Sequence, residues 1–143
     1  MVKRWPWIAL LVGLALVSIV LVASCGGGDE SSEGGTTTIG DVAANDHGVK
    51  DVSGESEFEL ELDDDYFEPT VLEGEPGQVL TLELKNEGGS EHNLTISELD
   101  IDQDVEAGET ANVEVTFPET GTLTFFCKYH RGSGMAGAFR TAS

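Results

Sequence analysis

The 143 residues carry 27 acidic and 7 basic side chains, a formal charge of −20, with three histidines, two cysteines and two methionines. Such an excess of acid excludes nucleic acid and anionic membrane surfaces as electrostatic partners, because both are held by basic patches. It suits a self-repelling monomer, and the length leaves room for one domain plus accessory segments.

The chain starts with Lys3 and Arg4, and Trp5 to Ala23 is almost wholly apolar. A short basic start followed by an apolar core is the layout of an export signal. The run ends in Val22-Ala23-Ser24-Cys25, which resembles a lipobox, where the peptide is cut before the cysteine and the thiol is lipidated. Residues 1–24 are therefore read as a lipoprotein-type signal peptide and Cys25 as the lipidation site. The same run is also long enough, at roughly 20 residues, for an uncleaved anchor helix, and a soluble secreted form is the third reading. All three place the domain outside the cytoplasm, and the basic residues ahead of the span agree with that orientation. Cleavage removes Lys3 and Arg4 but no acid, leaving five basic residues against 27 acidic ones, a net −22.

Residues 25–52 are rich in Gly, Ser, Thr and Asp and show little periodicity. They predict the lipidated cysteine followed by a disordered linker, with His47 as a solvated linker residue. From residue 53 to 143 the signals are those of strands. Phe58, Leu60 and Leu62 alternate with Glu57, Glu59 and Glu61, and Asp63-Asp64-Asp65 ends the run. Tyr66 to Leu72 predicts a short edge strand bent at Pro69. Leu80, Leu82 and Leu84 follow in alternation, then a turn over Asn86 to Ser90 and a strand carrying His92, Leu94 and Ile96 on one parity. An acidic tract, Ser97 to Glu106, precedes Val113, Val115 and Phe117. Leu123, Phe125 and Cys127 share the inward parity of the next strand, and Gly137 to Thr141 predicts the last. About seven short strands with turn residues between them, and no sustained helical period after residue 24, predict an all-β, antiparallel Greek-key sandwich.

Near its C-terminus the chain places Cys127, His130 and Met135 in nine residues, spaced C-x2-H-x4-M, with His92 upstream behind a Gly-Gly-Ser turn. Two imidazoles, a thiolate and a weak axial thioether form the ligand set of a blue-copper electron-transfer site. With Cys25 lipidated, Cys127 has no partner for an intramolecular disulfide, and an exported thiol left alone is open to oxidation unless a metal occupies it. Structural zinc prefers four Cys or His ligands, and Met serves it poorly. A dinuclear copper centre needs a second loop cysteine, and a multicopper enzyme needs further histidine clusters; neither is present in the chain.

At these residues the sequence resembles the plastocyanin-like cupredoxins. Cys127-x2-His130-x4-Met135 has the plastocyanin loop spacing with its Gly134-Met135 pair, and His92-Asn93 matches the His-Asn at the first ligand. Tyr66-Phe67-Glu68-Pro69 followed by Pro76-Gly77-Gln78 is similar to bacterial relatives, and the resemblance spans about residues 57–140. It implies one copper ion cycling between Cu(I) and Cu(II), held by His92, Cys127, His130 and axial Met135. Asn93 would tie the two ligand loops together by hydrogen bonds, and His130 would be the ring through which the electron leaves. Two positions depart from the pattern: Tyr129 and Glu91 stand where plastocyanins carry the Pro before each histidine.

The expected function is a lipid-anchored one-electron carrier, not an enzyme, exchanging electrons with redox proteins that have basic docking patches. The acids Glu98, Asp100, Asp102, Asp104 and Glu106 are candidates for the docking surface. A copper-binding carrier or buffer without an electron-transfer role is the alternative. The anchor is checked by metabolic lipid labelling: the parent chain should incorporate label, and Cys25→Ala should abolish it.

Overall fold

Leucines alternating with acids give β-strands one dry and one wet face. The computed structural model describes residues 34–142, so the expected signal at 1–24 and Cys25 lie outside the described residues. The first strands are β1 Gly35–Ile39, β2 Val42–Asp46, β3 Val49–Asp51, β4 Glu57–Asp63, β5 Tyr66–Glu68 and β6 Val71–Gly74. They are followed by β7 Val79–Asn86, β8 His92–Ile96, β9 Ile101–Val105, β10 Thr110–Thr116, β11 Thr122–Phe126 and β12 Ala136–Thr141. In β4, Leu60 and Leu62 are fully buried while Glu57 and Glu59 are exposed, and β7 buries Leu80, Leu82 and Leu84 in the same way.

Two sheets face each other across these side chains. One has the order β10-β7-β4-β5 and the other β3-β6-β12-β11-β8-β9. Between them Phe67, Phe125, Phe139 and Phe117 pack in series, with ring centroids 5.0, 4.8 and 5.4 Å apart. Each buried phenylalanine contributes about 1.5–3 kcal/mol of apolar burial. The pairing of Phe125 with Gly137 across β11 and β12 needs the glycine, because a Cβ there would lie 2.3 Å from the Phe125 ring.

The all-β sandwich is present, with two refinements. The pairings β4 with β7, β6 with β12 and β3 with β6 run parallel, so both sheets are mixed where wholly antiparallel pairing is expected. Strands that reach their neighbour by crossing from one sheet to the other arrive in the same direction. Pro69 also marks a corner rather than a bend within one strand: β5 joins the four-stranded sheet and β6 the six-stranded one.

The larger correction concerns residues 34–52, expected as linker. They form β1, β2 and β3. The β1–β2 hairpin lies on the outer face of the six-stranded sheet, where Ile39 and Ala44 pack with Val71, Ala136 and Ala138 in a second, smaller core. Val52, fully buried, enters the main core. Ala44 covers the small residues Ala136 and Ala138, with Ile39 and Val42 as the only larger apolar side chains the hairpin contributes. His47 is correspondingly half-buried and not a free linker residue: its ring stacks on Tyr66 at 3.6 Å, with Glu68 3.6 Å from Nδ1.

Candidate metal centre

Two strand ends bring the four candidate ligands to one end of the sandwich. His92 opens β8, and Cys127 follows directly on β11, the strand paired with β8 through Phe126 and Thr95. After Cys127 the chain makes a tight loop closed by main-chain bonds. Cys127 N–H donates to the Met135 carbonyl at 3.0 Å, His130 N–H to the Cys127 carbonyl at 3.2 Å and Met135 N–H to the His130 carbonyl at 3.2 Å. Gly134 turns the chain at φ 97°, a conformation that favours glycine. Cys127, Met135 and His92 are wholly buried, and His130 is half-buried.

The donor atoms converge. His92 Nδ1 and His130 Nδ1 are 3.1 Å apart, and Cys127 Sγ is 3.5 Å from His130 Nδ1. The three ligand atoms all lie within 4.8 Å of one another. Nitrogen and sulfur donors held about 2.0–2.3 Å from one first-row metal ion lie about 3–4 Å from each other, so the spacing fits a single ion shared by all three. Two imidazole lone pairs and a thiol sulfur facing inward, with a buried thioether in the adjoining loop, are the chemistry of a type 1 copper site. Copper is the cofactor these four residues are positioned to hold.

His92 is oriented from behind. Its Nε2 lies 3.4 Å from Asp64 Oδ1, and that carboxylate also accepts from Gly89 N–H at 3.1 Å. A proton on Nε2 facing a carboxylate leaves Nδ1 unprotonated for a metal. Burial pushes the His92 imidazole below its usual range, Asp64 opposes that and the nearby His130 adds to it. The turn that presents His92 is shaped by Asn86, whose Nδ2 donates to the Ser90 and Val105 carbonyls at 2.8 Å each and whose Oδ1 accepts from Gly88 N–H at 2.9 Å.

Asn93 is fully buried and stands between the ligand loops. Its Oδ1 accepts from Lys128 N–H at 3.3 Å and from the Thr95 hydroxyl, while Nδ2 donates to Asp102 at 2.7 Å and Asp104 at 2.9 Å. Lys128 Nζ sits 2.8 Å from both of those carboxylates, and Tyr129 donates to Asp104 at 3.2 Å. The lysine holds both aspartates below the usual carboxylate range, and they raise the lysine in turn. Two acids of the tract 98–106 are thus spent on the Cys127–His130 loop and not left free on the surface.

A family model described as a cupredoxin-like domain matches residues 36–138. The chain is a plastocyanin-like cupredoxin. It is 31% identical over 83 residues to plastocyanin of Lactuca sativa, covering 50% of this chain and 82% of that one. It is 32% identical over 83 residues to the chloroplastic plastocyanin of Fritillaria agrestis, covering 50% of this chain and 49% of that one. Among solved structures, auracyanin B shares the fold with a TM-score of 0.52 and 20% identity, over 62% of this chain and 90% of that one. The family match begins at residue 36, so the N-terminal hairpin belongs to the cupredoxin domain.

Asp64 and Asn86 were not among the residues singled out from sequence. Asp64 is one of three consecutive aspartates, which read as a strand stop, and Asn86 opens a polar turn; the only signal was the neighbouring Gly88-Gly89. Gly88 is the more informative glycine, because a Cβ there would lie 2.5 Å from His92 Nε2 and 2.8 Å from Asp64 Oδ1. Gly88→Ala is therefore expected to displace the His92 ring and weaken Cu(I) binding about 10-fold or more, the range found when support behind a ligand is lost. A competition titration with a Cu(I) chelator, alongside a thermal melt showing that the variant folds, checks it.

Proposed function

We propose that this cupredoxin is a one-electron carrier between redox proteins at the extracytoplasmic face of a membrane, held there through lipidated Cys25. The observation that carries the reading is the convergence of His92, His130 and Cys127 donor atoms, at 3.1 and 3.5 Å, from two loops already fixed by hydrogen bonds. Copper bound there supplies single-electron exchange. The chain supplies a donor set held by loops that hydrogen bonds fix on both sides, so little has to move when the charge on the site changes.

Each residue has a role in that task. Cys127, His92 and His130 would hold the copper, and Met135 would add a fourth, weaker sulfur ligand. Burial of Cys127 and Met135 excludes water from the sulfur ligands. His130, half-buried beside the exposed Tyr129, offers the ring edge through which a docked protein exchanges the electron. A partner with a basic docking surface suits a chain of charge −20. A carrier role rather than an enzymatic one is supported by the histidine inventory. Of three histidines, two are in this site and His47 is stacked on Tyr66, which leaves none for a second, catalytic metal cluster. The closed donor set also favours electron transfer over a copper carrier or buffer, for which open, exchangeable ligands are the better design.

The test is spectroscopic. The protein loaded with Cu(II) should show an intense thiolate-to-copper absorption in the visible that Cys127→Ser removes, together with fast electron self-exchange and slow copper loss. A colourless, redox-silent adduct contradicts the electron-transfer reading, and fast copper loss with slow self-exchange assigns the protein to copper delivery instead.

A further inference from the structure

Asn45 lies in the segment that the sequence presents as linker, yet its backbone N–H and its side-chain amide both donate to the loop that carries Met135. Its backbone N–H donates to the Gly134 carbonyl at 3.0 Å, and its Nδ2 donates to the Ser133 carbonyl at 3.0 Å. These are the two residues immediately before Met135. The same Nδ2 donates to the Asp65 carbonyl at 2.8 Å. Asp65 follows Asp64, the carboxylate behind His92, and is itself held at a φ of 69°. The Asn45 carbonyl accepts from the Thr70 hydroxyl at 3.0 Å, which fixes the donor residue in its turn. One side chain thus bridges the loop that carries the axial ligand and the loop that orients the first histidine.

The contact is close and shape-specific. A Cβ on Gly134 would lie 3.0 Å from both the Ala43 carbonyl and Asn45 Nδ2. A second tie runs from the same hairpin: Asp41 pairs with Arg131 at 2.6 Å, and the Arg131 guanidinium lies 4.6 Å over the Phe126 ring. The hairpin is anchored independently by Ile39 and Ala44 on the sheet beneath it. It therefore has a fixed platform from which to press on the loop.

We propose that the β1–β2 hairpin is a strap over the copper loop and that Asn45 is a positioning residue for Met135 and, through Asp65, for the His92 side of the site. This rests on the copper reading of the four ligands. Because the axial thioether tunes the potential of such sites, a strap that fixes Met135 sets the potential. Loosening it lets the thioether withdraw, and a cupric ion loses more by that than a cuprous one. The segment leading toward the N-terminus is in this way mechanically joined to the redox site.

The experiment compares the full chain with Asn45→Ala; both it and Asn45→Ser keep the backbone donor, and Asn45→Ser, with a small polar side chain, replaces it if the alanine variant does not fold. On metal-free protein, amide hydrogen exchange is read residue by residue. The amides of residues 133–136 should exchange about fivefold faster, as expected from losing the one side-chain hydrogen bond of ordinary net worth to this loop, while Leu82 and Leu84 in the core are unchanged. On copper-loaded protein, the variant should show an altered ratio of its visible bands, a raised reduction potential and Cu(I) affinity about tenfold weaker. Unchanged loop exchange, or acceleration spread evenly over the domain, overturns the strap; so does a folded, loaded variant with the parent's spectrum and potential. If the parent itself takes up copper without a visible thiolate band, it is the copper reading that falls, and the metal-free exchange still decides whether Asn45 fixes the loop.

Discussion

Three donor atoms brought within 4.8 Å of one another, with His130 Nδ1 3.1 Å from His92 Nδ1 and 3.5 Å from Cys127 Sγ, are the constraint on which the rest of this structure depends. Burial strips such polar groups of water, and burying them uncompensated is costly. The arrangement persists because the two loops that bear it are over-determined. Asn86 and Gly88 shape the His92 turn, three main-chain bonds close the Cys127–Met135 loop, and Asn93 joins the two. Behind them stands the phenylalanine series between the sheets, which keeps β11 and β12 from yielding. A sulfur and two imidazoles are thereby held together at one end of the sandwich.

Charge is handled with similar economy. Five basic residues fall among the described ones, and Lys128 and Arg131 flank His130 within the ligand loop. Neither is free: Lys128 lies between Asp102 and Asp104, and Arg131 on Asp41. Exposed ion pairs are individually worth about 0–1 kcal/mol, but here those of Lys128 join the ligand loop to β9 and that of Arg131 joins it to the β1–β2 turn. Their value lies in direction more than in strength. The two basic residues next to His130 are thus each paired with acid.

The core and the ligands were legible in the sequence because each rests on a pattern that chemistry enforces. Leucine and phenylalanine at alternate positions have few places to go except between two sheets, and Cys127, His130 and Met135 at their spacing have few uses apart from one metal. The hairpin was not legible for the opposite reason. Ala43, Ala44 and Asn45 lack the β-branched bulk of a typical strand, and their role depends on the small residues Ala136 and Ala138, more than ninety positions away. Parallel pairing of β4 with β7 was equally hidden, since alternation reports which face is dry and not which neighbour a strand takes. Asp64 shows the limit most clearly: within Asp63-Asp64-Asp65 nothing local separates the aspartate behind His92 from the one that accepts from Tyr66.

If the fold imposes the site, the environment of the metal should be nearly the same in both oxidation states. X-ray absorption fine structure on the Cu(II) and the chemically reduced Cu(I) protein measures this directly. The account predicts two nitrogen donors and one short sulfur bond in both states, with distances changing by about 0.1 Å or less, inside the spread normal for ligand bonds. Loss of a nitrogen ligand on reduction, or no short copper–sulfur bond in either state, would contradict it.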